Sequence, residues 1–550
     1  MNQQFDYIII GAGSAGCVLA NRLSKKPGTN ILLLEAGPED KALSLKMPAA
    51  MLTNLNGTKY NWAYQGEPEP EYNGRQLKHD RGKTLGGSSS INGMAYIRGH
   101  AKDYDGWKAV GCEGWGFADV LPYFKRMESY EGGEDEFRGV GGPLKICRPV
   151  PKDPLSMAFV KAGIEAGYPA TEDISGYCQE GYGVFDSTVS NGERWSAARG
   201  YLDPVKSRSN LSIITDVSVQ RIVLEGQQAK GVVYKDKRGN ETTVLAKTET
   251  LLCGGAVGTP HLLMLSGIGP AEHLQSHGID VVKDSPGVGQ NLNDHPDFVL
   301  KFKCLQPVSI WPKTRLIPKT IEGIKWILSR KGICGSNHFD VVSCVRSNPE
   351  IDYPDLQLCL SPIAVDNINW LPIPEHAFQI HVGLMRAHSR GKIELRDANP
   401  DTPPSILVNY LQDKRDREAI LNGARLVREL VDQPAFSELR GDEIFPGSQV
   451  QSDEAMSRYI DDHSVSQWHL SCTAKMGPEA DPMAVVDPQG RVHGISGLRV
   501  VDASIMPVVT NGNTNAPTIM IAEKLSDVIL GRIALTPIKT ALWHETSLWS

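Results

Sequence analysis

Two groups of residues in this chain have types and spacing suited to chemistry. The first is Gly11-Ala12-Gly13-Ser14-Ala15-Gly16, which follows the apolar run Phe5-Asp6-Tyr7-Ile8-Ile9-Ile10. A second apolar run, Ile31-Leu32-Leu33-Leu34, ends in Glu35, 19 residues past Gly16. Three glycines and a distal acid at this spacing suit a dinucleotide. Gly11 permits a tight turn, Gly13 lets the backbone approach a pyrophosphate, and Gly16 lets a helix pack closely on the strand. Amides at that helix start point toward phosphates with the helix dipole behind them. Glu35 is placed to accept hydrogen bonds from a ribose. The second group lies far along the chain, in Trp468-His469 and Asn513-Thr514-Asn515-Ala516-Pro517-Thr518. A neutral imidazole can take a proton from a hydroxyl. Taken alone, a histidine beside a tryptophan is more often packed or on the surface.

The elements that must position these groups follow from periodicity. Phe5 to Gly37 reads as strand, turn, helix and strand, a βαβ unit. Gly86 to Ser90 is rich in small residues, suited equally to amides crowding a ligand or to a flexible loop. Asn92 and the apolar residues after it read as a helix start. Asp153 to Ala166 reads as an amphipathic helix, and Asn191-Gly192 as a turn. Leu211 to Thr215, Ser218 to Leu224, Gly231 to Tyr234 and Thr242 to Val244 are strands, and Thr250 to Ala256 is another that runs into glycines. From Lys301 to Asp461 the strands Phe339 to Val345, Asp355 to Leu360 and Phe378 to Met385 alternate with Pro-rich loops. The expected division is a discontinuous nucleotide-binding domain of residues 1–155, 195–300 and 462–535. Residues 156–194 and 301–461 form a second domain, and 536–550 a tail.

A chain of 550 residues exceeds one core. Its net charge of −7 offers no basic footprint, so nucleic acid is not an expected partner. Ten scattered cysteines lack any Cys-x-x-Cys, and His469 with Cys472 has no second ligand pair, so no metal is expected. Reduced thiols and a strand starting at residue 5 point to the cytoplasm. No apolar run reaches the ~18 residues of a membrane span. Leu542, Trp543, Leu548 and Trp549 in the tail leave room for a peripheral membrane contact at the inner face, although a packed or frayed end is the simpler expectation.

The motifs, in order, resemble the glucose–methanol–choline (GMC) family of flavin oxidoreductases. Arg81 to Gly93 is similar to its first signature and Gly255 to Pro270 to its second. Trp468-His469 and Asn513 to Thr518 are similar to its catalytic stretch. The resemblance covers residues 1 to about 533. It implies an α/β fold: a Rossmann-like FAD-binding domain with a second α+β substrate-binding domain on an antiparallel sheet. It implies FAD, with Gly11, Gly13, Ser14, Ala15, Gly16, Glu35 and Ala36 at the ADP half and the backbone near Val219 at adenine. Gly86, Gly87, Asn92, Gly93, Met94 and Ala95 would face pyrophosphate and flavin. Trp468, Asp502, Ala503, Asn515 and Thr518 would approach the ribityl chain and ring. Some members attach FAD through a histidine where this chain has Ile91, so a non-covalent cofactor is expected.

The resemblance further implies oxidation of a primary alcohol, with hydride passing to flavin N5. His469 would be the base and Asn515 the second residue of the pair. Electrons would go to a quinone-like acceptor, a dye or oxygen. Other histidines, including His261, His295 and His388, are expected to be structural. Leu470 and Ser471-Cys472 depart from the proline and glycine common after the base. Asp297, after Asp294-His295-Pro296, would suit the cationic substrate of choline-oxidising members. The mostly apolar stretch Leu356-Gln357-Leu358-Cys359-Leu360 tips the expectation to a neutral alcohol. A choline dehydrogenase and an oxygen-using alcohol oxidase are the alternatives, with a hydroxynitrile lyase behind them.

Overall fold

The computed structural model describes residues 3–366 and 370–541; the four apolar tail residues named above lie outside them. Two seven-stranded sheets carry the fold. In the first, Leu211–Ile214, Ile31–Leu34, Gln3–Ile10, Glu241–Leu252 and Leu498–Val500 lie side by side and parallel. Ile8 to Ile10 and Ile31 to Leu34 are buried, as continuous apolar runs must be in a sheet covered on both faces. Ile10 pairs with Leu34 and with Leu252, so three strands end in register. Gly11, Glu35 and Cys253 therefore emerge together at one carboxyl edge, where ligands of such sheets bind. The segments expected as two strands at Thr242 and Thr250 are one strand, Glu241–Leu252. Its first half pairs antiparallel with Gln228–Asp236 and its end pairs parallel with Leu498–Val500.

The second sheet is antiparallel, in the order Arg440–Phe445, Pro296–Cys304, Ala377–Leu384, Leu356–Ser361, Val341–Val345, Gly181–Val184. Val465–Ser466 adds to Pro296-Asp297. Helix Lys414–Val431 covers one face, and Gly423 lets it approach: a Cβ there would meet Val382 Cγ1 at 2.4 Å. The expected boundary after residue 300 cuts through Pro296–Cys304, and the piece from 462 begins with a strand of this same sheet. Both sheets thus share the stretch that carries the site. The helix expected from Asn92 is absent. After the short 3₁₀ turn Gly87–Ser90, the Asn92 side chain accepts from Met94 N at 3.1 Å and from Arg194 Nη1 at 2.7 Å. That local bond competes with helix formation and leaves Met94 at φ 59°.

Candidate active site

One cavity of about 700 Å³ is lined by both Glu35 and His469. At the nucleotide end Gly11 has φ 96°, a conformation glycine supplies. A Cβ on Gly16 would lie 1.9 Å from Gly11 O, so this glycine sets helix Ser14–Leu23 against the strand and does not line the cavity. Gly86 likewise stays out of the lining; its N–H donates to Ala12 O at 2.7 Å and ties the two glycine loops together. A Cβ on Gly87 would meet Gly13 Cα at 2.7 Å, whereas one on Gly13 would meet no protein atom nearer than 4.0 Å. Gly13 therefore leaves open space for a ligand's phosphates. Glu35 accepts from Ala12 N and Gly37 N, each at 2.8 Å, and burial pushes its carboxyl up to about 7 against those bonds. A buried carboxylate of this kind is suited to neutral hydroxyl donors. These residues fit a dinucleotide cofactor. Ser14, Ala15, Ala36, Gly93, Ala95, Val219 and Thr518 also line the cavity.

Other expected cofactor residues have their side chains committed. Asp502 lines the cavity, but one oxygen accepts from Gly255 N (2.9 Å) and Thr259 Oγ1 (2.6 Å). The other accepts from Ser504 N and Oγ. Only its backbone and that of Ala503 are left to meet a ligand. Asn92 turns the chain at Met94, as above. Ile91 is buried in a cluster with Leu45 and Leu55 and also lines the cavity.

The base candidate is held by a loop zipped onto a distant strand. Asn293 and Ser471 exchange backbone bonds of 3.1 and 3.0 Å, and Gln467 N donates to His295 O at 3.0 Å. Buried Asp294 accepts from His469 N at 2.6 Å, from Ser466 Oγ at 2.5 Å and from the Tyr410 hydroxyl. Ser466 Oγ in turn accepts from Trp468 N at 2.8 Å, holding Trp468 at φ 59°. The imidazole has two ring contacts. Its Nδ1 lies 2.9 Å from His295 Nδ1 and its Nε2 lies 3.0 Å from Asn513 Nδ2. With the amide placed as donor, His469 carries its proton on Nδ1 and keeps an acceptor lone pair on Nε2. Burial, then His295 and Arg81, pushes the pKa of His469 well below its usual value, so the ring is neutral at pH 7.

Two expectations are corrected here. Asn515 does not meet His469: its Oδ1 accepts from Ser14 Oγ at 2.8 Å, on the glycine loop. The helix starting at Asn515 turns that side chain back to the nucleotide end, while Asn513, two residues before it, reaches the imidazole. His295 is not merely structural packing, because its Nδ1 lies 2.9 Å from His469 Nδ1 and, with the Asn513 amide as donor, accepts from it. Its only signal in the sequence is its place in Asp294-His295-Pro296.

At the substrate end Asp297 lines the cavity and accepts from His381 Nδ1 at 2.7 Å and Gln467 Nε2 at 3.2 Å. Phe339 packs edge-on to His381, with ring centroids 6.0 Å apart, and Trp370 lies 5.6 Å from Trp468. All four, with Trp62 and Tyr64, line the cavity. The apolar wall expected from Leu356 to Leu360 faces elsewhere. Alternation sends Gln357 and Cys359 into the cavity and turns the leucines to the opposite, fully buried face. Among the described residues no cluster of three or more His, Cys, Asp or Glu could hold a metal, and no helix is long and apolar enough to cross a membrane.

Residues 5–297 and 387–522 match the two profiles described as GMC oxidoreductase. The chain is 48% identical over 550 residues to an oxygen-dependent choline dehydrogenase of Pseudomonas fluorescens strain SBW25, covering 99% of this chain and 96% of that one. It is 46% identical over 542 residues to oxygen-dependent choline dehydrogenase 1 of Chromohalobacter salexigens, covering 98% and 97%. Among solved structures, pyridoxine 4-oxidase from Mesorbium loti superposes with a TM-score of 0.87 at 30% identity, covering 96% of this chain and 100% of that one. A formate oxidase of Aspergillus oryzae superposes at 0.90 with 28% identity, covering 96% and 99%.

Proposed function

The chain belongs to the GMC oxidoreductase family of FAD flavoproteins, and from that premise we propose that it oxidises a primary alcohol bearing a quaternary ammonium group, of the choline class. The observation that carries this reading is Asp297, a carboxylate lining an aromatic-walled cavity. Both its oxygens already accept hydrogen bonds, which suits a cation with no N–H to offer. Such a cation reads only negative potential and aromatic faces. The leaning toward a neutral alcohol loses its basis once the leucines face away. The names of the relatives point the same way.

Bound FAD supplies the acceptor for the hydride. The protein's own residues do the rest. The substrate hydroxyl displaces Asn513 Nδ2 from the lone pair of His469 Nε2, which takes the hydroxyl proton, and the Nδ1–H, donating to His295, stabilises the imidazolium that forms. Asn513 Nδ2 donates to the substrate oxygen as it gains charge. Glu35, Gly11, Gly13 and Gly87, which line the cavity, would hold the adenosine and pyrophosphate portions of the cofactor. Ile91 offers no nucleophile, so the cofactor is held without a covalent bond. The acceptor for the electrons is oxygen or a quinone.

The test compares choline with its neutral isostere 3,3-dimethylbutan-1-ol, following anaerobic flavin bleaching. Choline should win in kcat/KM by about tenfold or more, the scale of one cation beside aromatic faces and a carboxylate. Asp297→Asn should erase most of that ratio. A neutral isostere equal to or better than choline would overturn the assignment. Admitting oxygen afterwards separates the two acceptors.

A further inference from the structure

Two residues of the helix Leu316–Ser329, Glu322 and Trp326, are buried. Trp326 is fully buried and its Nε1 donates to Gly192 O at 2.6 Å. Glu322 is buried and meets Lys313 Nζ at 2.6 Å. Six other large aliphatic side chains face solvent: Leu316 and Leu328 at 82% exposure, Ile317 at 73%, and Ile321, Ile324 and Ile327 at about half. At about 100° per residue these six fall within one arc of roughly 140°, which also holds the exposed Thr320. Exposed Lys325 borders one edge of the arc and exposed Lys319 the other. Lys313 and Arg315 precede the helix; Arg330 and Lys331 follow it. Residues 313–331 therefore carry six basic side chains and one acid, a net charge of +5 in a chain of −7; of the six, Arg330 pairs with Glu193 at 2.9 Å outside the segment.

An outward apolar arc with basic edges has the form of a helix lying in a lipid interface. We propose that this helix docks the enzyme on an anionic phospholipid bilayer, with its aliphatic arc among the acyl-chain ends and its basic edges on the headgroups. Charge selects this occupant. A second copy meeting the same face across a two-fold axis would oppose +5 to +5. The rest of the molecule, with a net charge of −12, is repelled by an anionic surface and leaves this patch to set the orientation. The docked face also adjoins the site. The chain leaves the helix through Arg330 at φ 58° and the turn Ile333–Gly335. Asn337 Nδ2 then donates to Gly93 O at 2.8 Å, and Phe339 lines the cavity.

The experiment is co-sedimentation of the full-length, FAD-loaded protein with vesicles of equimolar phosphatidylcholine and phosphatidylglycerol, against phosphatidylcholine alone. Two variants accompany it, Ile317→Glu with Leu328→Glu, and Lys319→Glu with Lys325→Glu. All four positions are exposed and outside the catalytic cavity, so flavin content and dye-linked turnover should match the parent. The parent should partition at least about tenfold better to the anionic vesicles and lose that preference in high salt; each variant should lose about tenfold or more. Absence of vesicle binding by the parent, or binding unchanged in both variants, would overturn the proposal. So would a concentration-dependent dimer without vesicle binding that Ile317→Glu with Leu328→Glu disrupts, which assigns the face to a second copy.

Discussion

The placement of Asn513 and Asn515 gives a paired perturbation with opposite expected effects. Asn513→Ala removes the one amide donor at His469 Nε2. A donor that strengthens its bond as the substrate oxygen gains charge is worth about 10²–10³ in rate. The loss should fall on the limiting rate of flavin bleaching at saturating alcohol, with FAD affinity unchanged. Asn515→Ala removes the acceptor of Ser14 Oγ. Net loss of one such bond costs about 0.5–1.5 kcal/mol, or about 2- to 13-fold in an equilibrium. That cost should fall on FAD retention, because Ser14 opens the helix on the phosphate loop, and the bleaching rate of fully loaded enzyme should stay within about threefold of the parent. Anaerobic stopped-flow at the flavin absorbance gives the rates, and fluorescence titration of apoprotein gives the FAD affinity. A drop of ~100-fold in bleaching for loaded Asn515→Ala, with Asn513→Ala near the parent, would refute the geometry used here.

Three further outcomes are expected. Gly87→Ala should abolish FAD binding: its Cβ would sit 2.7 Å from Gly13 Cα at a φ of 53°, so the two loops must part, and a yellow, fully loaded variant would contradict that. Because His469 is held well below 6.5, its base form persists as pH falls, and kcat/KM should stay level through neutrality and decline only on the acid side below 6.5; a decline beginning near pH 7 would show a base of ordinary or raised pKa. Trichloroacetic acid should release the flavin to the supernatant, since Ile91 cannot bond to it, and colour left in the pellet would contradict that reading.

The nucleotide end was legible because its requirements are local. Gly11, Gly16 and Glu35 lie within one βαβ unit; the two glycines answer to backbone sterics and Glu35 to its place at a strand end, both of which spacing reveals. The catalytic end was legible only in part because its geometry is assembled across long separations. His295 and His469 are 174 residues apart and meet through an antiparallel zipper that no local pattern announces. The Asn513 and Asn515 exchange arose because a motif fixes which residues are present but not where a helix begins. Starting the helix at Asn515 decides which amide faces the imidazole. The apolar reading of Leu356 to Leu360 failed for a simpler reason. A strand buried on both faces shows apolar side chains in sequence whichever face meets the cavity, and only packing of helix Lys414–Val431 settles the matter. The Asn92 expectation failed because one side chain diverted the backbone.

The closing helix Asn515–Ile529 packs along Ser14–Leu23, and Glu523 accepts from Arg22 Nη2 at 2.5 Å and from the Tyr201 hydroxyl at 2.8 Å. Residues 14 and 515 touch across 501 positions of sequence. During vectorial synthesis, at about 5–20 residues per second, the phosphate loop is thus made tens of seconds before the helix that seals it. Through that interval the nascent nucleotide site stands open on one flank, and helix Ser14–Leu23 waits for the partner that covers it until the end of synthesis.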